Sequence, residues 1–481
     1  MDNKMKFFIA LIVILSLAGL LIFSNLPLVY NILNTNPQDA NLLSNETLDE
    51  LFIPEILENE SEDPSNAIFS LEAKKGSKTF FQGINTPTYG YNGDFLGPVI
   101  RVNKGQNVTI NVRNSLDEHT TTHWHGLIVD GDNDGGPHQM IKSDEIWEAN
   151  FMIEQPAATL WYHPHIMDIT GKQVYMGLAG LFYIDDEISA SLDIPKDYGV
   201  DDIPLIIQDR SFDRNGNLVY DFPQNMMNDG MIGDIIMING TVNPNFQIRK
   251  DLMRFRILNG SNANLYTIRI SDNSTFYQIA SDGGFLEKPV SLKELTLSSG
   301  ERAEILVDFS SYTKGDVPSL VVNNNTALNF EIDDVENSSY AIPEYLTEVP
   351  RIDIEKASNQ RAFRLQGMGN MVSINGKIMD MSRIDEFVSL NSTEIWEVTT
   401  VGQMMHSLGH PFHIHGVKFQ VISRNDNPPP ENEMGWKDTV MVYPAETVKV
   451  IMQFTKPGLF MYHCHNLEHE DAGMMGQFKV E

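Results

Sequence analysis

From about residue 67 to its end the chain is written in short runs that largely alternate apolar and polar side chains. VIRVNKGQNVTINVRN (99–114), RFRILN (254–259), RAEILVDF (302–309) and ETVKVIMQF (446–454) are examples, and Gly, Asn, Asp or Pro closes such runs. A period of two is that of a strand with one face turned to a core, so the pattern predicts a predominantly all-β protein. The N-terminus reads differently. Lys4 and Lys6 precede an apolar run from Phe7 to Phe23, broken only by Ser16 and Gly19. This run lies between the core of an export signal, about 7–15 residues, and a membrane-spanning helix, about 20. No A-x-A cleavage site or lipobox cysteine follows, so residues 1–30 are expected to form an apolar helix, a signal peptide or an uncleaved anchor, with residues 7–23 as a membrane tether. Lysines ahead of the run keep the N-terminus inside and place the rest of the chain outside.

Residues 31–66 contain NPQDANLLSNETLDE and ENESEDPSN, polar and acidic, and are expected to be a flexible stem without a core. Two later breaks, DDEISASLDIPKDYGVDD (185–202) and AIPEYLTEVPRIDIEKASNQ (341–360), divide the remainder into pieces at 67–190, 200–345 and 358–481. With 481 residues the chain is too long for one ordinary domain, and its 42% apolar content is ample for several cores. The excess of 65 Asp and Glu over 34 Lys and Arg gives a net charge of −31, which excludes a nucleic-acid partner and suits solubility or attraction of cations. Nine N-x-[ST] sequons are compatible with an exterior location, whether cell surface, periplasm or secreted. Oligomeric state is not legible.

Histidine changes the picture. Six of 13 lie between His119 and His165, none from 166 to 405, and seven from His406 to His469. The middle piece therefore holds no histidine metal site and is expected to act as spacer, wall or substrate surface. The outer pieces repeat one another. His123-Trp124-His125-Gly126 matches His413-Ile414-His415-Gly416, and Tyr162-His163-Pro164-His165 matches Tyr462-His463-Cys464-His465. Pro164 stands where the other copy has Cys464, the only cysteine of the chain, and Leu178 where it has Met474. A single thiol in an exported chain forms no internal disulfide, so it is inert, paired with another molecule, or a metal ligand. Two imidazoles, a thiolate and a weak thioether are the donors of a blue electron-transfer copper, and Cys464, His469 and Met474 supply three of them, leaving a distant histidine for the fourth. Because alternate residues of a strand face opposite ways, His463 and His465 point away from Cys464. If each binds a further metal, the backbone of three residues joins the two centres.

H-W-H-G, Y-H-P-H, H-P-F-H-I-H-G and H-C-H-x3-H-x4-M resemble the four copper signatures of the multicopper oxidases, in order and over about residues 67–481. The resemblance is strongest to the three-domain bacterial type, which includes copper oxidases and laccases. It implies three cupredoxin-like Greek-key β-sandwich domains and four copper ions. By position, type 1 copper falls to His410, Cys464, His469 and Met474, and type 2 copper to His123 and His413. One type 3 copper takes His125, His163 and His465, the other His165, His415 and His463. The implied reaction couples four one-electron oxidations, entering through Cys464, to reduction of dioxygen to water. The donor is a phenol or aromatic amine, or a metal ion such as Cu(I), Fe(II) or Mn(II). Asp134 and Glu470 occupy positions the family uses near the cluster, as proton donors or relays; a turn-forming Asp and a surface Glu are the plain alternatives. His119, His138 and His406 are left unassigned, with His406 nearest a substrate.

Thioethers favour Cu(I), which draws attention to Met404, Met405, Met368, Met371, Met379 and Met381, although methionine also fills gaps in cores, the reading taken for Met226, Met227 and Met231. Asp438, in GWKDTV, is a candidate to receive a phenol or amine. Two other classes remain to be separated, a copper nitrite reductase, whose family has no type 3 pair, and a cupredoxin-fold binding protein without catalysis.

Overall fold

The computed structural model describes residues 49–221, 230–336, 340–400 and 409–481. The expected apolar helix within residues 1–30, the first half of the stem (31–48), Met226, Met227 and the segment holding Met404, Met405 and His406 lie outside the described residues. Among those described, the strands form six sheets, and these build three cupredoxin-like domains with two facing sheets each. The first domain pairs two four-stranded sheets, the second a seven-stranded with a five-stranded sheet, and the third two five-stranded sheets.

The alternation seen in sequence places the cores. Along Asn107–Asn114, Val108, Ile110 and Val112 turn inward to meet Phe69, Leu71 and Trp124. Along Thr393–Thr400, Trp396 and Val398 do the same, packing with Phe412, Phe460 and Cys464. In the middle domain Phe255, Ile257, Ile305 and Phe330 fill the equivalent space. The polar positions of RFRILN and, except for the exposed Asp308, those of RAEILVDF do not face solvent, however. Leu252–Asn259 is buried at every position, because Arg254 and Arg256 lie at the junction with the first domain, bonded to Glu304 and Asp202. A strand that reads as half-exposed is here covered on both faces.

The stem also departs from expectation. Its end, Leu51 to Leu57, lies along the body: Leu51 N–H donates to the Asn245 carbonyl (2.8 Å) and Leu57 N–H to that of Val99 (2.8 Å). Asn239 Nδ2 donates to the Phe52 carbonyl (2.8 Å). The reason is the apolar segment LFIPEIL between the two acidic runs, whose Leu51 joins the middle-domain core. In the first break Glu187–Ser191 is a short helix capped by Asp186, and the second break carries no strand until Asn359.

Candidate metal centre

Two β-pairings with the same register carry the histidines. In the first domain His123–His125 runs antiparallel to Ala158–His163 with His123 opposite His163. In the third, His410–Ile414 runs antiparallel to Gly458–Cys464 with His413 opposite His463. Trp124 and Tyr162 in one copy, Ile414 and Tyr462 in the other, point into their sandwiches, so the neighbouring histidines must point out. The two outward faces meet. His123 stacks on His415 with ring centroids 3.8 Å apart, and His125 stacks on His413 at 3.7 Å, which gives the junction an approximate twofold character.

Three histidine groups result. His165, His415 and His463 bring Nε2 atoms together, His463 lying 3.1 Å from each of the other two. His125, His163 and His465 form a second group, with His163 Nε2 3.4 Å from His125 Nδ1. His123 and His413 share a third with His125. A first-row metal about 2.0 Å from each imidazole nitrogen holds those nitrogens a little over 3 Å apart, which is the spacing found. Cys464 points the other way, into the third domain, where its Sγ lies 3.6 Å from His410 Nδ1 and 3.7 Å from His469 Nδ1. Met474 is buried in the same core, and its carbonyl accepts from Cys464 N–H (3.0 Å). Asn466 caps the helix Leu467–Asp471 by accepting from His469 N–H, which fixes His469 below the cysteine strand.

The protonation states suit metal ligation. Burial, helped by neighbouring imidazoles, holds His125, His163, His165, His413, His415, His463 and His469 well below the usual histidine range. Burial takes His410 down to about 4 and His465 to about 3. Neutral rings offer lone pairs, as a metal requires. Among the described residues those lone pairs have no protein partner at Nε2 of His123, His413 and His465, all buried. Each remaining nitrogen is engaged from behind. His123 Nδ1 donates to the Asp134 carbonyl (2.8 Å), His413 Nδ1 to that of Asp438 (2.8 Å), and His163 and His463 to those of Pro164 (2.8 Å) and Cys464 (3.0 Å). Orphaned nitrogens facing inward with occupied nitrogens facing outward is how metal-bound histidines are oriented.

Both carboxylates singled out from sequence are buried beside the cluster. Asp134 Oδ2 accepts from His415 Nδ1 at 2.7 Å. Glu470, far from being a surface residue, lies 3.3 Å from His165 Nδ1 and 3.2 Å from His463 Nδ1. Burial, with Asp471 next to it, pushes the Glu470 carboxyl well above the usual carboxylate range. Asp438 does not face a substrate. It is 1% exposed, and its carboxylate is shared between Arg302 and His125. The middle domain contributes further groups with no histidine to advertise them: Ser299 Oγ lies 3.3 Å from His465 Nδ1, and Gly300 backs directly onto the His465 ring. Their neighbourhood arises from contacts more than a hundred residues apart, for which the sequence carries no local signal. His119 and His138 are exposed and outside every group; His138 instead contacts Gln477.

This arrangement, three sandwiches with a cysteine-containing site on one side of a strand and paired histidine triads on the other, is that of the multicopper oxidases, and the chain belongs to that family. Family models described as multicopper oxidase match residues 72–189, 205–333 and 350–481. Among individual proteins, it is 40% identical over 439 residues to the multicopper oxidase Mco of Staphylococcus haemolyticus, covering 91% of this chain and 94% of that one. It superimposes on a laccase from Pediococcus acidilactici with a TM-score of 0.87 at 39% identity, covering 91% of this chain and 94% of that one. A multicopper oxidase of Campylobacter jejuni described as a metallo-oxidase gives 0.79 at 30% identity, covering 90% and 96%. The chain is thus a copper-dependent oxidoreductase with dioxygen as acceptor.

Proposed function

We propose that the chain holds four copper ions and passes electrons from a small donor at the Cys464 site to dioxygen at the histidine cluster. His410, Cys464, His469 and Met474 hold type 1 copper, and His123 and His413 hold type 2. The type 3 ions take His125, His163 and His465, and His165, His415 and His463. The observation that carries this is Cys464 itself: its side chain meets His410 and His469, while the flanking His463 and His465 belong to different triads. When bound, copper supplies one-electron acceptance at the first site and dioxygen reduction at the cluster. The protein's part is to keep the rings neutral, hold them apart by strand alternation, and offer Asp134 and Glu470 as proton-carrying groups beside the cluster.

The donor is a phenol or aromatic amine, or a reduced metal ion such as Cu(I), Fe(II) or Mn(II). A laccase and a metallo-oxidase among the similar structures support both classes, and the charge of −31 favours cations at the surface. The chain works outside the cytoplasm, tethered through residues 7–23; Lys4, Lys6 and the apolar run support this reading. Oxygen uptake by copper-loaded protein against a panel of these donors tests the assignment. Turnover with a single class fixes the substrate; no uptake with any donor, together with nitrite reduction, replaces the proposal by the nitrite reductase reading.

A further inference from the structure

The two histidine repeats carry a matched pair of aspartates, and only one of them is held by a cation. Asp134 accepts from His123 Nδ1 through its backbone carbonyl (2.8 Å) and reaches across the domain junction with its carboxylate to His415 (2.7 Å). Asp438 does the same in reverse, accepting from His413 Nδ1 at its carbonyl (2.8 Å) and reaching back to His125 with its carboxylate (3.0 Å). The crossed contacts differ in one atom. His415 is gripped at Nδ1 and turns Nε2 to its group, whereas His125 is gripped at Nε2 and turns Nδ1 toward His163.

Arg302, from the middle domain, accompanies that difference. Its Nη1 donates to Asp438 Oδ1 (2.8 Å) and its Nη2 to Oδ2, a two-point grip. The guanidinium is fully buried and pinned by the carbonyls of Gly300 (2.9 Å), Thr159 (3.1 Å) and Asp282 (3.1 Å). Thr439 Oγ1 donates a further bond to Oδ1 (2.9 Å). A carboxylate gripped in this way only accepts, so the ring nitrogen facing it must be the one that carries hydrogen. Asp134, by contrast, has among the described residues no Lys or Arg against it and no hydrogen-bond partner at Oδ1.

We infer that Asp438 and Arg302 are positioning residues that fix the tautomer of His125, so that Nδ1 rather than Nε2 is presented to its triad, and that the histidine-free domain thereby sets one half of the cluster. The inference rests on the copper-ligand reading for its consequence but not for its first test. In metal-free protein with nitrogen-15 histidine, long-range proton–nitrogen correlation reads which nitrogen of each ring is protonated, and His125 is assigned by the loss of its signals in His125→Gln. The expected result is protonation of His125 at Nε2 in the unmodified chain and a shift toward Nδ1 in Asp438→Asn, whose amide turns a donor into the pair. Copper titration followed by electron paramagnetic resonance is the second readout. Asp438→Asn and Arg302→Gln should weaken the spin-coupled copper about 10- to 100-fold, the usual effect of losing a partner behind a metal-bound histidine, with the blue absorption of the Cys464 site retained. Protonation of His125 at Nδ1 in the unmodified chain overturns the inference, as does an unchanged tautomer and unchanged spin-silent copper in both variants. That first measurement needs no substitution at Asp438 or Arg302, so a variant that fails to fold does not rescue the idea. Absence of spin-silent copper in the unmodified chain would instead sink the copper-ligand reading and leave the tautomer result standing.

Discussion

Gly300→Ala should damage the histidine cluster from a domain that contains no histidine. Gly300 has φ +85°, and a methyl group there would lie 3.0 Å from Cγ, Cδ2 and Cε1 of His465, face-on to the ring. The backbone alone costs an L-residue about 1–2 kcal/mol in this region. Ordinary carbon contact begins near 3.5 Å, so the ring must retreat by roughly 0.5 Å, which is the tolerance of a working site. Crowding of this kind adds about 1–3 kcal/mol, for a total of about 2–5 kcal/mol in the metal-free protein. Displacing His465 from His125 and His163 should also loosen the copper of that triad about 10- to 100-fold.

Gly315 provides the control. Its φ is +94° and nothing lies within 4 Å of the added carbon, so Gly315→Ala carries the backbone cost, about 1–2 kcal/mol, and no contact. Urea unfolding of both metal-free variants separates strain from crowding, and copper titration separates crowding from ligand displacement. Equal unfolding midpoints together with equal copper retention in the two variants would refute the claim that the middle domain forms a wall of the site.

Other outcomes follow from the ligand geometry and from burial. Cys464→Ser should abolish the intense blue absorption and oxidase turnover while the circular dichroism of the folded protein persists; an undiminished blue band would contradict thiolate ligation. Met474→Leu should keep the colour and raise the potential of that copper in a spectroelectrochemical titration, because the axial donor tunes it; a potential that stays put would remove Met474 from the site. The buried histidines should destabilise metal-free protein in acid. His410 is depressed from 6.5 to about 4 and His465 from 6.5 to about 3, so their contribution is complete above pH 6.5 and is lost as pH falls toward 3–4. For His410 the full difference is roughly 3 kcal/mol. Asp471, raised to about 8, and Asp282, raised to about 6, gain stability over the same range, so the check is the difference in urea midpoint between metal-free unmodified protein and metal-free His410→Gln from pH 7 to 4; a difference that does not change with pH counts against a buried neutral His410.

The histidine groups were legible in the sequence because strand alternation turns H-x-H into two side chains on one face, and because the repeat exposes Pro164 as the counterpart of Cys464. Asp134 and Glu470 were legible only through the family resemblance. Asp438 reads as a substrate candidate because a lone acid after GWK carries no sign of its partner, and that partner, Arg302, is 136 positions away. The alternation of RFRILN marked its strand correctly but could not say that the polar face meets another domain instead of water. The stem reads as coreless because its acidic flanks outweigh LFIPEIL, a segment whose Leu51 completes the middle-domain core.

The middle domain explains why charge is buried so close to the cluster. Lys437 is held between Asp282 (3.0 Å) and Glu301 (2.9 Å), Arg302 grips Asp438, and Asn262 donates to Glu468 (2.7 Å), each contact crossing from the second domain to the third. Thr159 of the first domain donates to Glu304 (2.7 Å) and accepts from Arg256 (3.1 Å) of the second. Buried ion pairs repay their desolvation poorly, so an apolar interface would stabilise the docking at least as well. What these pairs add is register, because a domain slid by one residue leaves charges buried and unpaired, at a cost of about 3–5 kcal/mol for each pair broken. Register is what the cluster needs: every histidine triad draws rings from both the first and the third domain, and an error of about half an ångström between them is enough to spoil it. The domain without histidines is therefore the part that aligns the two that carry them.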